Sequence, residues 1–395
     1  MDASTGLSAR DLAVLWHPCG QMRDYRDFPP LEVVGAHGCR LRLADGREIL
    51  DAISSWWCKS LGHGHPRLRA ALVAQAERFE HVILANTTNE PIVRLSERLC
   101  ALANVASPAT AGARRLGKVF YADNGSTAVE VALKLALQAH AQSGRAGRTG
   151  FAALANGYHG ETVGALSVGD CGAYKDTFAP LLFPCVMLGP LPYRSGAADP
   201  RWQDASHEWP AIEGQLEAAA DGLAAIIYEP ILQGAGGMRV YSPDLLRRLR
   251  AWADAHGVYL IADEIAAGFG RCGAMLAGEL AGVTPDIAVV SKGLTGGFLP
   301  LAAVITTDAV YDAFVSDQPG RAFLHSNTYA GSALAVAVAN AVLDVFADEG
   351  VLAAVAASGL GLRGGLEDIA RTRPQLRDVR GIGMVAAVDL RARDG

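Results

Sequence analysis

Chemistry that needs a nucleophilic amine has few candidates here, because the chain carries five lysines: Lys59, Lys118, Lys134, Lys175 and Lys292. Lys118 and Lys134 read as solvated positions, before a strand and inside a helix. Lys292 differs: it follows the apolar stretch PDIAVVS and precedes the glycine-rich run GLTGG. An amine at the carboxyl end of a buried strand, partly desolvated and near a cationic ring, has its pKa lowered enough to act as nucleophile and then as base. Position alone would make Lys292 an ordinary surface lysine. Asp263, which closes the stretch GVYLIAD 29 residues earlier, changes that reading. A buried carboxylate beside a pyridine nitrogen keeps the ring protonated and therefore electron-withdrawing. By itself a strand-end aspartate is equally well a helix cap.

Two further segments fit the same chemistry. In YADNGSTAVEVALKLAL an apolar strand gives way at Asn124–Thr127 to a helix, whose first N–H groups favour an anion. Gly125 allows close approach, and Ser126 and Thr127 add hydroxyl donors; the competing reading makes Ser126 only the helix cap. Tyr158 follows the strand FAALANG, where its ring can stack on a flat heteroaromatic group or serve ordinary packing.

These residues need a scaffold that brings strand ends together. From about residue 66 onward, short apolar strands (GKVFYAD, FAALANG, AAIIYEP, VYLIADE, DIAVVSKG, LAAVITT) alternate with helical stretches, the pattern of a mostly parallel sheet buried on both faces. Open α/β sheets place ligands at the carboxyl ends of their strands. Residues 31–53 read as short strands, with Asp45-Gly46 as a hairpin turn. After Thr328 the chain is Ala-rich and helical, and GIGMVAAVDL reads as one terminal strand. The predicted organisation is α/β: residues 66–332 form a large domain, while 1–65 and 333–395 form a smaller α+β domain, apparently truncated at its end.

Composition narrows the function classes. With 395 residues, 50% of them hydrophobic, the chain can bury a large core. A formal charge of −6 and scattered arginines give no basic field for nucleic acid. The longest apolar stretch, Ala333 to Ala347, is interrupted by Asn340 and Asp344, and Met1 to Arg10 lacks a signal core, so a cytoplasmic protein is expected. Seven cysteines with no C-x-x-C pair indicate neither a disulfide framework nor a zinc knuckle. His63 and His65 lack a third ligand at suitable spacing, so no metal is expected. Gly359, Gly361 and Gly364 match a dinucleotide fingerprint but follow a helical stretch rather than a strand.

The blocks NGYHGET (156–162), EPILQGAGGM (229–238), IADEIAAGFGR (261–271), SKGLTGGFLPLA (291–302) and FLHSNTYAG (323–331) resemble the class III, fold-type-I aminotransferases that use pyridoxal 5′-phosphate (PLP). The resemblance implies that Lys292 is the Schiff-base lysine, Asp263 pairs with the pyridine nitrogen, Tyr158 stacks on the ring and Ile265 packs on its other face. It further implies phosphate binding by Gly125 and Ser126, and by Thr328 of a neighbouring subunit in a homodimer with shared sites. LWHPCGQMRDY (15–25) and DAISSWWCKSLGHGHP (51–66) are similar to the branch that aminates 8-amino-7-oxononanoate in biotin synthesis, usually with S-adenosylmethionine as donor. Trp56 and Trp57 would then line the substrate pocket and Glu161 would lie near the substrate amine. Cys19 stands where many members carry an aromatic residue, and Ser326-Asn327 replaces a common Gly-Pro. The sequence ends at Gly395, before the segment in which members place a carboxylate-binding arginine. Lysine as donor, a general ω-aminotransferase acting on 4-aminobutyrate-like or diamine substrates, and an inactive PLP-binding dimer are the alternatives.

Overall fold

The computed structural model describes residues 6–105 and 114–391; the start of the Met1–Arg10 stretch and the Gly395 end lie outside the described residues. A seven-stranded sheet runs through the centre in the order Leu116–Ala122, Ala302–Thr307, Ile287–Val290, Tyr259–Asp263, Leu223–Tyr228, Gly150–Leu154, Val186–Leu188. Ala302–Thr307 is antiparallel to both its neighbours, and the other six strands share one direction. The exception has a physical cause. Parallel neighbours need a crossover of about a dozen residues or more, and the link 291–301 instead turns back on itself.

The strands are uniformly apolar because both faces are covered. Every residue of Leu223–Tyr228 and of Ala302–Thr307 is buried. Helix Gly125–Gln142 packs one face with Val129, Ala132, Leu133 and Ala136, and helix Pro243–His256 covers the other with Leu245, Leu246 and Leu249. The second helix shows how local sequence sets its ends. Ser242 caps it by accepting from Asp244 N at 3.2 Å, Pro243 opens it, and Gly257 closes it at φ 63°.

The chain ends form two separate small sheets. Val33–His37, Arg40–Leu43 and Glu48–Leu50 make an antiparallel meander, with Gly46 at φ 89° in the Asp45-Gly46 turn. The terminal apolar run is not one strand: it straddles a hairpin between Leu376–Ile382 and Val385–Leu390, turning at Gly383 with φ 54°. A glycine in the left-handed region breaks the run where hydropathy alone shows continuity. Helix Ala333–Asp348, grouped by sequence with the C-terminal part of the small domain, packs against helices Pro66–Ala76 and Glu90–Ala103, with Val336, Ala339 and Val342 buried against Leu95 and Leu99. Gly359, Gly361 and Gly364 lie inside helix Val351–Thr372. No single described helix is long and apolar enough to cross a membrane.

Candidate active site

Asp263 and Lys292 emerge at the same sheet edge because their strands are parallel neighbours. Asp263 pairs in register with Val289, and Lys292 follows three residues on, opening a short turn at φ 46°. Both line a cavity of about 550 Å³, together with Trp57, Gly125, Ser126, Tyr158 and Ile265. Trp56 and Gly160 also border it. Thr328 is exposed and does not line this cavity; neither does Glu161, which instead accepts a hydrogen bond from Tyr158 Oη at 2.9 Å.

Burial sets the electrostatics of the cavity floor. It lowers the Lys292 pKa, with Asp263 and Glu229 partly opposing. The Lys292 ammonium position lies 5.0 Å from the centre of the Trp57 indole. Asp263, 3% exposed, accepts from Ile265 N at 3.1 Å and contacts His159 Nδ1 at 2.7 Å. The other imidazole nitrogen of His159 is buried without a partner.

One wall of the cavity is built by the start of helix Gly125–Gln142. Asn124, not Ser126, is the cap: its side chain accepts from Thr127 N at 3.1 Å, and Thr127 Oγ1 accepts from Asn124 N at 3.3 Å. This capping box occupies the Thr127 hydroxyl and leaves Ser126 facing the cavity. Gly125 and Gly160 keep the cradle open. A Cβ on Gly125 would stand 3.0 Å from Ile265 Cδ1, and one on Gly160 would run into the Ser126 side chain.

Trp57 is presented by an uncommon backbone. Ser54, Ser55, Trp56 and Trp57 have φ of 53°, 47°, 60° and 64°, a left-handed turn that costs each L-residue about 1–2 kcal/mol. Such strain persists only where surrounding contacts hold it. Arg271 Nη2 donates to Trp57 O at 3.1 Å from a largely buried guanidinium, which burial shifts downward.

Sequence reasoning missed three residues here: His159, Glu229 and Arg271. Only Glu229 carried a signal, since it ends the strand AAIIYEP as Asp263 ends its own. The parallel register pairs Ala262 with Tyr228, so one step on Glu229 stands beside Asp263. Its carboxylate accepts from Tyr158 N and Gly234 N, both at 3.0 Å. Burial, reinforced by Asp263, pushes the Glu229 carboxyl up to about 7 against the pull of His159 and those two N–H groups.

The cavity therefore offers a desolvated amine, a carboxylate–histidine pair, an aromatic and an aliphatic side chain, and a serine hydroxyl at a helix start. Those donors fit a flat, phosphorylated heteroaromatic aldehyde. Comparison with known proteins agrees. Residues 21–395 match the family Aminotransferase class-III. The chain is 42% identical over 381 residues to the adenosylmethionine-8-amino-7-oxononanoate aminotransferase of Synechococcus elongatus, covering 95% of this chain and 84% of that one. It is 40% identical over 354 residues to the enzyme of the same name from Helicobacter pylori, covering 89% and 77%. The crystal structure of the Methanocaldococcus jannaschii enzyme of that name superposes with a TM-score of 0.87 at 32% identity, over 97% of this chain and 84% of that one. An amine transaminase from an uncultivated Pseudomonas species, solved in its PLP-bound form, also reaches 0.87, at 34% identity over 95% and 84%. With its family matched along nearly its whole length and a cavity built for that cofactor, this chain belongs to the class III aminotransferases and is a PLP-dependent transaminase.

Proposed function

We propose that the chain transfers an amino group from S-adenosylmethionine to the 7-keto group of 8-amino-7-oxononanoate, giving 7,8-diaminononanoate for biotin. The observation that carries this reading is the cavity wall: Trp56 and Trp57 border the space beside Lys292 in a chain 42% identical to an enzyme named for that reaction. Flat apolar walls suit a long aliphatic keto-amine. When bound, PLP acts as the electron sink that makes the carbon bearing the donor amine acidic.

The chain's own residues divide the remaining work. Lys292 Nζ would hold the cofactor, and as the lysine that lines the cavity it would take and return the proton in each half-reaction. Its desolvation lowers its pKa and so favours the neutral amine. Asp263, held by His159 and Ile265 N, would supply the negative charge for the ring nitrogen. Tyr158 and Ile265, which both line the cavity, would pack on the ring, and Gly125 and Ser126 would bind its phosphate; Glu161, outside the lining but hydrogen-bonded to Tyr158 Oη, would meet the substrate amine only at the cavity's edge.

We read the active form as a homodimer. Exposed Trp16 (89%), Leu324 (83%) and Tyr329 (63%) offer apolar surface, and Thr328, exposed beside Tyr329, is free to reach a partner's phosphate site. A cytoplasmic setting suits seven unpaired cysteines. The test is a donor panel with purified protein, PLP and 8-amino-7-oxononanoate, following 7,8-diaminononanoate by mass spectrometry. Product with S-adenosylmethionine supports the reading, and product with lysine alone changes the donor. Turnover of 4-aminobutyrate with none of 8-amino-7-oxononanoate overturns it.

A further inference from the structure

The strained turn that carries Trp57 is braced at its start by a side chain that does not line the cavity. Asp51 follows the strand Glu48–Leu50, and its own N–H donates to Cys39 O at 2.9 Å, so the N-terminal meander sets its position. Its carboxylate, 9% exposed, accepts from Ser55 N at 3.0 Å and from Ser55 Oγ at 2.7 Å. The same oxygen that Ser55 Oγ reaches also contacts His63 Nε2 at 2.8 Å. His63 is itself anchored, exchanging backbone hydrogen bonds with Gly38 at 2.7 and 3.0 Å. Ser55 is the second of the four left-handed residues, and Trp57 is the last.

We propose that Asp51 is a positioning residue for the active site, holding the left-handed Ser54–Trp57 turn so that the Trp57 indole covers Lys292. The argument is one of satisfied groups. The turn pairs part of its own backbone, with Trp57 N donating to Ile53 O at 2.9 Å, but left-handed backbone is disfavoured at each L-residue, so further contacts have to offset that cost. Asp51 pairs both the N–H and the hydroxyl of Ser55, and Arg271 secures the far end at Trp57 O. Burial alone would raise the Asp51 carboxyl, but the hydrogen bonds from Ser55 and His63 hold it below its ordinary range, so it braces the turn as an anion. Without that brace the turn relaxes towards right-handed backbone, and the indole leaves the amine it stands over at 5.0 Å.

The test is a double-mutant cycle of Asp51→Asn and Trp57→Phe on the PLP-loaded and PLP-free protein. Asparagine keeps the shape but loses the charge and one acceptor. The PLP dissociation constant, from absorbance titration, is expected to rise about fivefold in D51N and by a similar factor in W57F, and no further in the double variant, because coupled sites are non-additive. In a Trp56→Phe background, which silences the other indole of the turn, iodide quenching of tryptophan fluorescence is expected to increase in D51N and to show no such increase when Trp57 is also Phe. Additive effects on the dissociation constant, or a fall in thermal stability with unchanged quenching, would mean that Asp51 supports only the fold and overturns the proposal. If D51N does not fold, Ser55→Ala removes only the hydroxyl arm of the brace. It is expected to raise quenching in the same Trp57-dependent way, and unchanged quenching there also overturns the proposal. No substrate enters any arm, so the outcome is independent of which amine and ketone the enzyme uses.

Discussion

The narrowest point of the cofactor cradle is Gly160, and Gly160→Ala measures how much its missing side chain matters. Gly160 has φ +124°, outside the conformations that an L-residue adopts readily, and it faces the start of helix Gly125–Gln142. A Cβ there would stand 2.8 Å from Ser126 Cβ and 3.1 Å from Ser126 Cα, with the Ser126 hydroxyl closer still. Two costs follow. Backbone strain at such a φ is about 1–3 kcal/mol and falls on the fold. Overlap of a methyl with a packed side chain is about 1–3 kcal/mol, and it falls on the cradle because Ser126 has to turn away from the anion site. If the overlap acts wholly on cofactor binding, the PLP dissociation constant rises about 5- to 150-fold, at about 1.4 kcal/mol per tenfold. The assay is absorbance titration of the apoprotein with PLP, with a melting curve of the same apoprotein to report the strain separately. Gly172→Ala is the control, because a Cβ there meets nothing within 4 Å and the backbone is not left-handed. Binding of PLP by G160A within twofold of the wild type would refute the reasoning that Ser126 and the helix start form the phosphate site.

Other perturbations have equally definite outcomes. Lys292→Ala is expected to lower turnover by at least about 10⁴-fold and to abolish the visible absorbance of lysine-bound PLP, without lowering the melting temperature, since it removes a desolvated amine; normal turnover would remove Lys292 from the mechanism. Asp263→Asn keeps the acceptor for Ile265 N but not the charge, so kcat is expected to fall about 10²–10³-fold with the fold intact, whereas a change within threefold would show that the ring nitrogen does not depend on it. Burial pushes the Glu264 carboxyl up from its ordinary 4.5 to about 8. A carboxyl raised in this way binds its proton more tightly in the folded chain than in the unfolded one. Its stabilising contribution is complete below about pH 4.5 and is lost as pH rises through about 8. Melting temperature is therefore expected to decline across that window, and Glu264→Gln to make the decline shallower; an unchanged slope would show that Glu264 does not titrate there.

Much of this molecule is legible in one dimension, for reasons of local physics. Uninterrupted apolar runs declare strands covered on both faces, an Asn-Gly-Ser-Thr junction declares a helix start, and acids or amines at the ends of such runs have to surface at one edge of a parallel sheet. Asp263 and Lys292 were therefore readable together, 29 residues apart, as the two ends of one site. The folded backbone decided the rest. Asn124 rather than Ser126 took the cap, which left Ser126 to line the cavity. The terminal apolar run became a hairpin because Gly383 turns it, which hydropathy does not register. Glu229 joined Asp263 through inter-strand register, and Ser55 met Asp51 from a left-handed backbone that no local preference favours. Periodicity and turn chemistry are encoded by near neighbours along the chain, whereas register and the pairing of buried polar atoms such as the Glu229 carboxylate are settled by contacts between residues far apart in it.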